Sequence, residues 1–277
     1  AVQNFSQDPV PSVAGWSSGG SLSTARNYLG GAGTLTAGLA FGGNTPPHTN
    51  ATEEYDGSSW TSGGNLGTSR TGLSGCGTQT AGLAFGGYVG PSLQSATEEY
   101  DGSSWTAGGA LNTARGDLAG AGIQTAALAT AGYTTTNSNS TEEYNGSSWT
   151  AGGNYPASRY AIGSTGTQTA GLGFGGSGVS DETNEYDGSS WTSSGAMNTA
   201  RSFMGASGIQ TDSLAFAGQT PPRTTATENY NGTTWGTLPA TLGTARDGLA
   251  GAGTASAALA FGGSTGSITG ATEEYQT

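Results

Sequence analysis

The sequence predicts an all-β fold, a six-bladed β-propeller of four-stranded antiparallel blades. Six tryptophans recur at intervals of 44, 45, 44, 42 and 44 residues, a period typical of repeat architectures. Five of them end a variant of Thr-Glu-Glu-Tyr-Asp-Gly-Ser-Ser-Trp, and each of the six is followed ten or eleven residues later by an arginine. The two ends of the chain supply complementary parts of one repeat. We therefore expect structural roles for Trp16, Trp60, Trp105, Trp149, Trp191 and Trp235, and for Arg26, Arg70, Arg115, Arg159, Arg201 and Arg246.

Each repeat contains four short strands, here called a to d. Strand b alternates large and small side chains without a polar face, which indicates that both of its faces are buried. Asp-Gly or Asn-Gly then forms the tight turn between strands c and d, because glycine accepts a positive φ. In the repeat from Leu66 to Gly109, strand a spans about Thr71 to Gly77, strand b Thr80 to Phe85 and strand c Ala96 to Tyr100, and strand d carries Trp105.

The ring is expected to close by pairing of the two chain ends. Trp16 lacks the Glu-Glu-Tyr that precedes the other tryptophans, whereas Thr272 to Tyr275 lacks a following tryptophan. Pairing the Trp16 strand with the Glu273–Tyr275 strand completes the last blade and removes exposed strand edges. Residues Ala1 to Pro11 are predicted to form an extended arm, and residues 12–277 a single propeller domain. An open solenoid is the rival, but it would need distinct end caps.

Composition limits the classes of partner. The chain has 277 residues, of which 52 are Gly and 9% are charged, and it has no Lys. Aromatic residues in fixed register argue against a disordered polymer. A formal net charge of −12 repels phosphate backbones and anionic membranes, so we expect no nucleic-acid partner and no membrane insertion. The scarcity of basic residues suits a protease-exposed location, and we expect an extracellular or virion-surface protein.

The repeat resembles the kelch repeat. The resemblance rests on strand b ending in Phe-Gly-Gly, followed by Tyr, Asp, Trp and the Arg before strand a, and it covers about residues 12–277. The Tyr-to-Trp turn is shorter than in most kelch repeats. More loosely, Ala-Thr-Glu-Glu-Tyr-Asp-Gly-Ser-Ser-Trp and Thr-Gln-Thr-Ala-Gly-Leu-Ala-Phe-Gly-Gly resemble Gly-rich kelch-like repeats of predicted structural proteins of marine bacteriophages. Tyr-Asp-Gly-Ser-Ser-Trp also resembles a shortened sialidase Asp-box, itself a structural turn.

No catalytic constellation is expected. Adjacent glutamates on a strand point to opposite faces, so each Glu-Glu pair cannot converge on one glycosidic bond. Five repeats carry Glu immediately before Tyr and each repeat carries one Arg, so we expect Arg–Glu bridges that join strands or blades.

Kelch-type propellers include galactose oxidase, but its copper site needs two His and this chain has only His48. Cys76 stands where other repeats have small residues. We therefore predict no enzyme activity, no metal and no cofactor.

The b–c connections vary while their flanks barely change. In an antiparallel meander the b–c and d–a connections emerge on one face, so a constant frame presents diverse loops there, as binding surfaces commonly do. Neutral drift of unconstrained loops is the alternative. Tyr can stack on a sugar ring and Arg can bind an acidic group. The candidate ligand-binding residues are His48, Tyr88, Tyr133, Asp181 and Arg223.

Three functions remain open from the sequence. The favoured one is a non-enzymatic binding module that recognises a glycan or a surface protein through the variable b–c loop face. The second is a purely architectural decoration or spacer protein, assembled on a virion or cell surface through the arm at Ala1 to Pro11. The third is a glycan-active propeller enzyme, which a carboxylate of raised pKa near the channel mouth would favour.

Overall fold

The computed structural model describes residues 14–277 and is a six-bladed β-propeller without helices in that range. Blades 1 to 6 follow the chain, and strand a lies innermost in each. Strands a are Gly30–Thr34, Ser74–Thr78, Ala119–Ile123, Gly163–Thr167, Gly205–Ile209 and Ala250–Gly253. Strands b are Ala37–Phe41, Ala81–Phe85, Ala126–Thr130, Ala170–Phe174, Asp212–Phe216 and Ala257–Phe261. Strands c are Thr52–Tyr55, Thr97–Tyr100, Thr141–Tyr144, Thr183–Tyr186, Thr227–Tyr230 and Thr272–Gln276. Strands d are Trp60–Ser62, Trp105–Ala107, Trp149–Ala151, Trp191–Ser193, Trp235–Leu238 and, in blade 6, Gly15–Gly19.

The predicted ring closure is confirmed. Gly15–Gly19 pairs antiparallel with Thr272–Gln276, and Trp16 lies opposite Tyr275. The N-terminal strand therefore supplies strand d of blade 6, which leaves no blade with an unpaired third strand. The predicted arm at Ala1 to Pro11 lies outside the described residues.

Strand a of blade 2 begins later than the sequence analysis predicted, at Ser74 instead of Thr71. Thr71 pairs with Tyr88 in an isolated bridge, and Gly72 has a φ of +60°. These residues belong to the d–a connection, which turns over the end of the central channel before the strand starts. In strand b of blade 2, the four residues from Gly82 to Phe85 are all buried, which confirms that both faces of the strand are covered.

Each tryptophan joins its blade to the preceding one. The Trp105 indole N–H donates to the Thr52 hydroxyl of blade 1 at 2.9 Å, and the Trp105 ring packs on Phe41 at a centroid distance of 5.0 Å. The other five tryptophans donate in the same way to the strand c threonine of the preceding blade. The period of 44 residues thus repeats an interface, which explains why both Trp and Thr recur.

Five arginines form buried ion pairs within the frame. Arg115 is completely buried and lies 3.1 Å from Glu142, and it also donates to the Ser140 carbonyl at 2.8 Å. In the four blades that carry a Glu-Glu pair, the bridging glutamate is the first of the two and not the one immediately before Tyr, and in blade 5 it is Glu228, which precedes Asn229. The second one serves another contact: Glu99 accepts a hydrogen bond from the Tyr144 hydroxyl of the next blade. The other buried pairs are Arg26–Glu53, Arg70–Glu98, Arg201–Glu228 and Arg246–Glu273.

Blade 4 is built differently, and Arg159 departs from the buried arrangement. Arg159 turns outward and pairs with Glu182, whose side chain is 50% exposed. Asn184 replaces the bridging glutamate. In blade 3 the glutamate accepts from the backbone N–H of Asn112, but the residue at that place in blade 4 is Pro156, which has no N–H. The acceptor and the donor are therefore lost together.

At the interface between blades 3 and 4, an aromatic residue is missing from strand b and present in the linker. Strand b of blade 3 ends in Thr130 where the others end in Phe, and Tyr155 stands where the other linkers carry Leu or Met. Trp191 packs on Tyr155 at a centroid distance of 4.9 Å. The tyrosine ring thereby fills the volume that the missing phenylalanine would occupy.

The Asp-Gly-Ser-Ser turns between strands c and d are structural. Asp101 accepts hydrogen bonds from the backbone N–H groups of Ser104 and Ser103 and from the Ser103 hydroxyl, at 2.8–2.9 Å. The Ser104 N–H in particular lowers the pKa of Asp101 from 3.8 to about 2. Asp56 and Asp187 are held in the same way, with pKa values of about 2. In blades 3 and 5 the neutral Asn145 and Asn231 make equivalent turns.

The aspartates of these turns are expected to lose their contribution to stability in acid. The folded pKa lies below the unfolded value, so the contribution is complete above about pH 4 and disappears as the pH falls through about 2. The triple variant Asp56→Asn/Asp101→Asn/Asp187→Asn keeps the turn that Asn145 and Asn231 already form. We expect its melting temperature, followed by circular dichroism, to fall less between these pH values than that of the wild type. Equal acid sensitivity would show that other carboxylates dominate.

Candidate functional site

The d–a connections form a closed ring of backbone hydrogen bonds around one mouth of the central channel. In each blade the second residue after the framework arginine donates its N–H to the carbonyl of its counterpart in the preceding blade, at 2.7–3.1 Å. All six residues have a φ between +49° and +60°. We call this set the mouth ring; it consists of Tyr28, Gly72, Asp117, Ala161, Phe203 and Gly248.

The mouth ring combines one backbone conformation with residues of five different types. A left-handed conformation is natural for Gly72 and Gly248 but costs other L-residues about 1–2 kcal/mol. Tyr28, Asp117 and Phe203 nevertheless adopt it. Strain of this kind persists where the surrounding structure imposes it and is frequent at binding and catalytic sites.

Aromatic side chains line part of this mouth. Tyr28 and Phe203 meet edge to face with centroids 5.3 Å apart. Tyr160 packs on Phe203 at 5.9 Å, and Tyr133 packs on Tyr160 at 5.9 Å. The four rings form a continuous aromatic arc from the d–a connection of blade 1 to the b–c loop of blade 3.

Asp117 and Tyr88 occupy the opposite part of the mouth. The Tyr88 hydroxyl donates to Asp117 Oδ2 at 3.1 Å. A Cβ on Gly116 would lie 2.1 Å from the Tyr88 ring, so glycine at that position lets the tyrosine pack closely. Partial burial raises the pKa of Asp117 from 3.8 to about 6, an effect that the Tyr88 hydrogen bond opposes. Burial and the Asp117 charge raise the pKa of Tyr88 in turn.

An ion pair borders the aromatic arc on the side of blade 6. Arg223 Nε lies 2.8 Å from Asp247 Oδ1, and Asp247 is buried. Both charges act on the Tyr28 hydroxyl, but burial is the main cause of its raised pKa. The Arg223 charge is thereby largely balanced within the protein.

Asp117 and three of these aromatic rings line a small pocket, which we call the Asp117 pocket. It has a volume of about 220 Å³ and is lined by Tyr28, Thr71, Gly72, Tyr88, Asp117 and Phe203. The adjoining part of the channel is lined by a ring of six apolar side chains. These are Leu29, Leu73, Leu118, Ile162, Met204 and Leu249.

The structure brings three of the five sequence-predicted ligand residues to this mouth. Tyr88 lines the Asp117 pocket, Tyr133 ends the aromatic arc, and Arg223 forms the bordering ion pair. His48 lies within its own b–c loop, where its backbone pairs with Asn44. Asp181 is exposed in the b–c loop of blade 4. Neither His48 nor Asp181 lines the pocket.

Tyr28, Asp117, Phe203 and Asp247 lie at this mouth but are not among the residues predicted from the sequence. A signal was available: the two residues after each framework arginine differ in every repeat, although the arginine before them and the apolar residue after them are constant in type. The d–a connections emerge on the same face and contribute the mouth ring.

The opposite end of the channel is repetitive. It is lined by the a–b ends of the inner strands, where Gly, Ala and Ser predominate. Beside it, the Gln124 side-chain amide donates to the Tyr100 and Gly82 carbonyls of blade 2 at 2.7 and 3.0 Å. Gln79, Gln168 and Gln210 make the same contacts at other interfaces. Variation is therefore concentrated at one mouth.

Comparison with known proteins gives no match, either to a family model or to a curated protein. Residues 14–277 contain no helix that could cross a membrane.

Proposed function

We propose that the chain is a non-enzymatic binding module that recognises a glycan through the mouth ring. One observation carries the proposal: non-repeated aromatic and charged side chains gather at one channel mouth of an otherwise repetitive frame. Aromatic rings stack on sugar rings, and a few polar groups among them fix the orientation of a ligand. Tyr28 and Phe203 would supply the stacking surfaces, and Tyr88 and Asp117 the hydrogen bonds.

Backbone strain supports a binding role over neutral drift. Glycine at positions 28 and 203 would relieve the strain, as Gly72 and Gly248 do in blades 2 and 6. Aromatic residues at these positions are therefore unfavourable for the backbone, and a ligand contact gives a reason for their presence.

The proposal also includes the relationship of the repeat to known repeats, the location of the protein and its partner. The six-bladed architecture with Phe-Gly-Gly, Tyr and Trp in each repeat supports a kelch-like relationship. We place the protein on an extracellular or virion surface, as its low charge and lack of Lys suggest. A surface protein carrying the glycan would be the natural partner.

Asp117 favours one alternative, a glycan-active enzyme. A carboxyl group with a pKa of about 6 suits a general acid near neutral pH. A hydrolase needs a second carboxylate across the bond, but Asp247 is engaged by Arg223. We expect no release of reducing sugar from bound glycans. Release that Asp117→Asn abolishes would favour the enzyme.

A broad glycan array tests the binding role. We expect the purified protein to bind a subset of glycans and the Tyr88→Ala/Tyr133→Ala variant to lose at least about tenfold in affinity, because each ring contributes about 1 kcal/mol or more. Asp181→Ala, on the same face but outside the pocket, is the matched control. A blank array would favour the architectural role, with residues 1–11 joining a neighbouring molecule.

A further inference from the structure

The charges of the mouth are not balanced. Asp247 is paired with Arg223 at 2.8 Å. Among residues 14–277, Asp117 has one side-chain partner, the neutral Tyr88 hydroxyl at 3.1 Å. The mouth therefore carries one carboxylate without a cationic partner, and this residue lines the same pocket as Tyr28, Tyr88 and Phe203.

Gly72 leaves room for a ligand group beside that carboxylate. A Cβ on Gly72 would lie 2.8 Å from Asp117 Oδ1 and 2.9 Å from the Tyr88 ring. The lack of a side chain there keeps Oδ1 and the ring face accessible from the pocket. The volume of about 220 Å³ is below the range of about 300–1,000 Å³ that is common for drug-sized ligands. It suits a single head group.

An organic cation matches this combination. Aromatic faces attract ammonium groups through their quadrupole, and the attraction grows when the cation is desolvated. An anion would be repelled by Asp117, and a neutral group would leave its charge unbalanced. Tyr28, Tyr88 and Phe203 line the same pocket as Asp117 and supply the aromatic rings.

We propose that the Asp117 pocket binds an organic ammonium group, such as that of an amino sugar or a choline head group, with Asp117 as its counter-ion. This inference names the ligand class of the proposed binding site and rests on that proposal. Asp117 accepts the ammonium N–H groups or faces the methylated ammonium, and the tyrosine and phenylalanine rings surround the rest of the head group.

The binding should depend on pH. The pKa of Asp117 of about 6 means that the counter-ion is charged above this pH and neutral below it. The groups that share the mouth are Tyr28, Tyr88, Tyr133, Tyr160 and the ion pair Arg223–Asp247. Burial raises the pKa values of Tyr28 and Tyr88, so these two hydroxyls stay neutral near pH 6. Affinity for an ammonium ligand is therefore expected to fall as the pH decreases through about 6.

Isothermal titration calorimetry with glucosamine, N-acetylglucosamine and choline tests the inference. At about pH 7.5 we expect glucosamine or choline to bind at least about tenfold more tightly than N-acetylglucosamine. Preference for glucosamine indicates an amino sugar, and preference for choline a choline head group. Asp117→Asn should abolish the preference, whereas Asp181→Asn, with the same change in net charge outside the pocket, should retain it.

Two results would overturn the inference. Equal affinity for glucosamine and N-acetylglucosamine, both lost in Phe203→Gly, would leave the glycan-binding role intact and remove the ammonium preference. No binding of any of the three at millimolar concentration would contradict the ammonium site, and the glycan array would then decide the wider role. Thermal melting of Asp117→Asn distinguishes a lost contact from a lost fold. Above about pH 6 this variant should be at least as stable as the wild type, because burial disfavours the Asp117 charge.

Discussion

Arg115→Ala is expected to lower the free energy of unfolding by about 3–5 kcal/mol. Arg115 is fully buried, and its removal leaves the Glu142 carboxylate, 4% exposed, without its partner at 3.1 Å. The Ser140 and Ala129 carbonyls lose donors in the same step. The cost is therefore that of an uncompensated buried charge and unpaired carbonyls, and not only that of one ion pair.

Arg159→Ala is the matched control for this variant. It occupies the equivalent place in the sequence repeat, but its partner Glu182 is half exposed, so the loss should stay below about 1 kcal/mol. Urea denaturation of the two variants and the wild type gives both values. Similar losses would contradict the distinction between a buried and an exposed arginine.

Asn184→Glu is expected to destabilise the fold by about 2–4 kcal/mol, although it restores the residue that five blades carry. Asn184 is 2% exposed. The new carboxylate would meet Pro156, which offers no N–H, and Arg159 lies outward on Glu182. A favourable residue elsewhere in the ring is thus unfavourable in this blade, because its donors are absent.

Adding Pro156→Gly should recover part of that loss. Gly67 and Gly243 occupy this place in blades 2 and 6, and their N–H groups donate to the bridging glutamate at 2.6 Å. Urea denaturation of the single and double variants measures the coupling. If Asn184→Glu alone leaves stability unchanged, Arg159 must swing inward, and the special construction of blade 4 would be a weak preference only.

The contacts between neighbouring blades were the part of the fold that could be predicted from the sequence. Trp, Thr and Tyr recur because each makes a contact to the neighbouring blade, so the contact repeats with the residue. Ring closure followed from the missing halves of the first and last repeats. The partner of each arginine could not be assigned, since two adjacent glutamates are equivalent in sequence. Strand alternation sends the first to the arginine and the second to the tyrosine of the next blade.

The contacts within blade 4 and across the mouth could not be predicted by such pattern matching. Thr130, Tyr155, Pro156 and Asn184 differ from the repeat at separate positions, and only the fold shows that they meet. Likewise Tyr88 and Asp117 belong to different blades, and their contact depends on how far the b–c loop reaches over the channel. The sequence indicated the correct face but not the group of residues on it.

Paired stability and affinity measurements on Tyr28→Gly and Phe203→Gly test the central claim, that the mouth ring binds ligand while the frame holds the fold. Glycine relieves a strained φ and removes an aromatic contact, so the unfolding free energy should change by less than about 1 kcal/mol. Affinity for the glycan found on the array should fall at least about tenfold in each variant. Unchanged affinity with unchanged stability would contradict the claim and place the binding surface elsewhere.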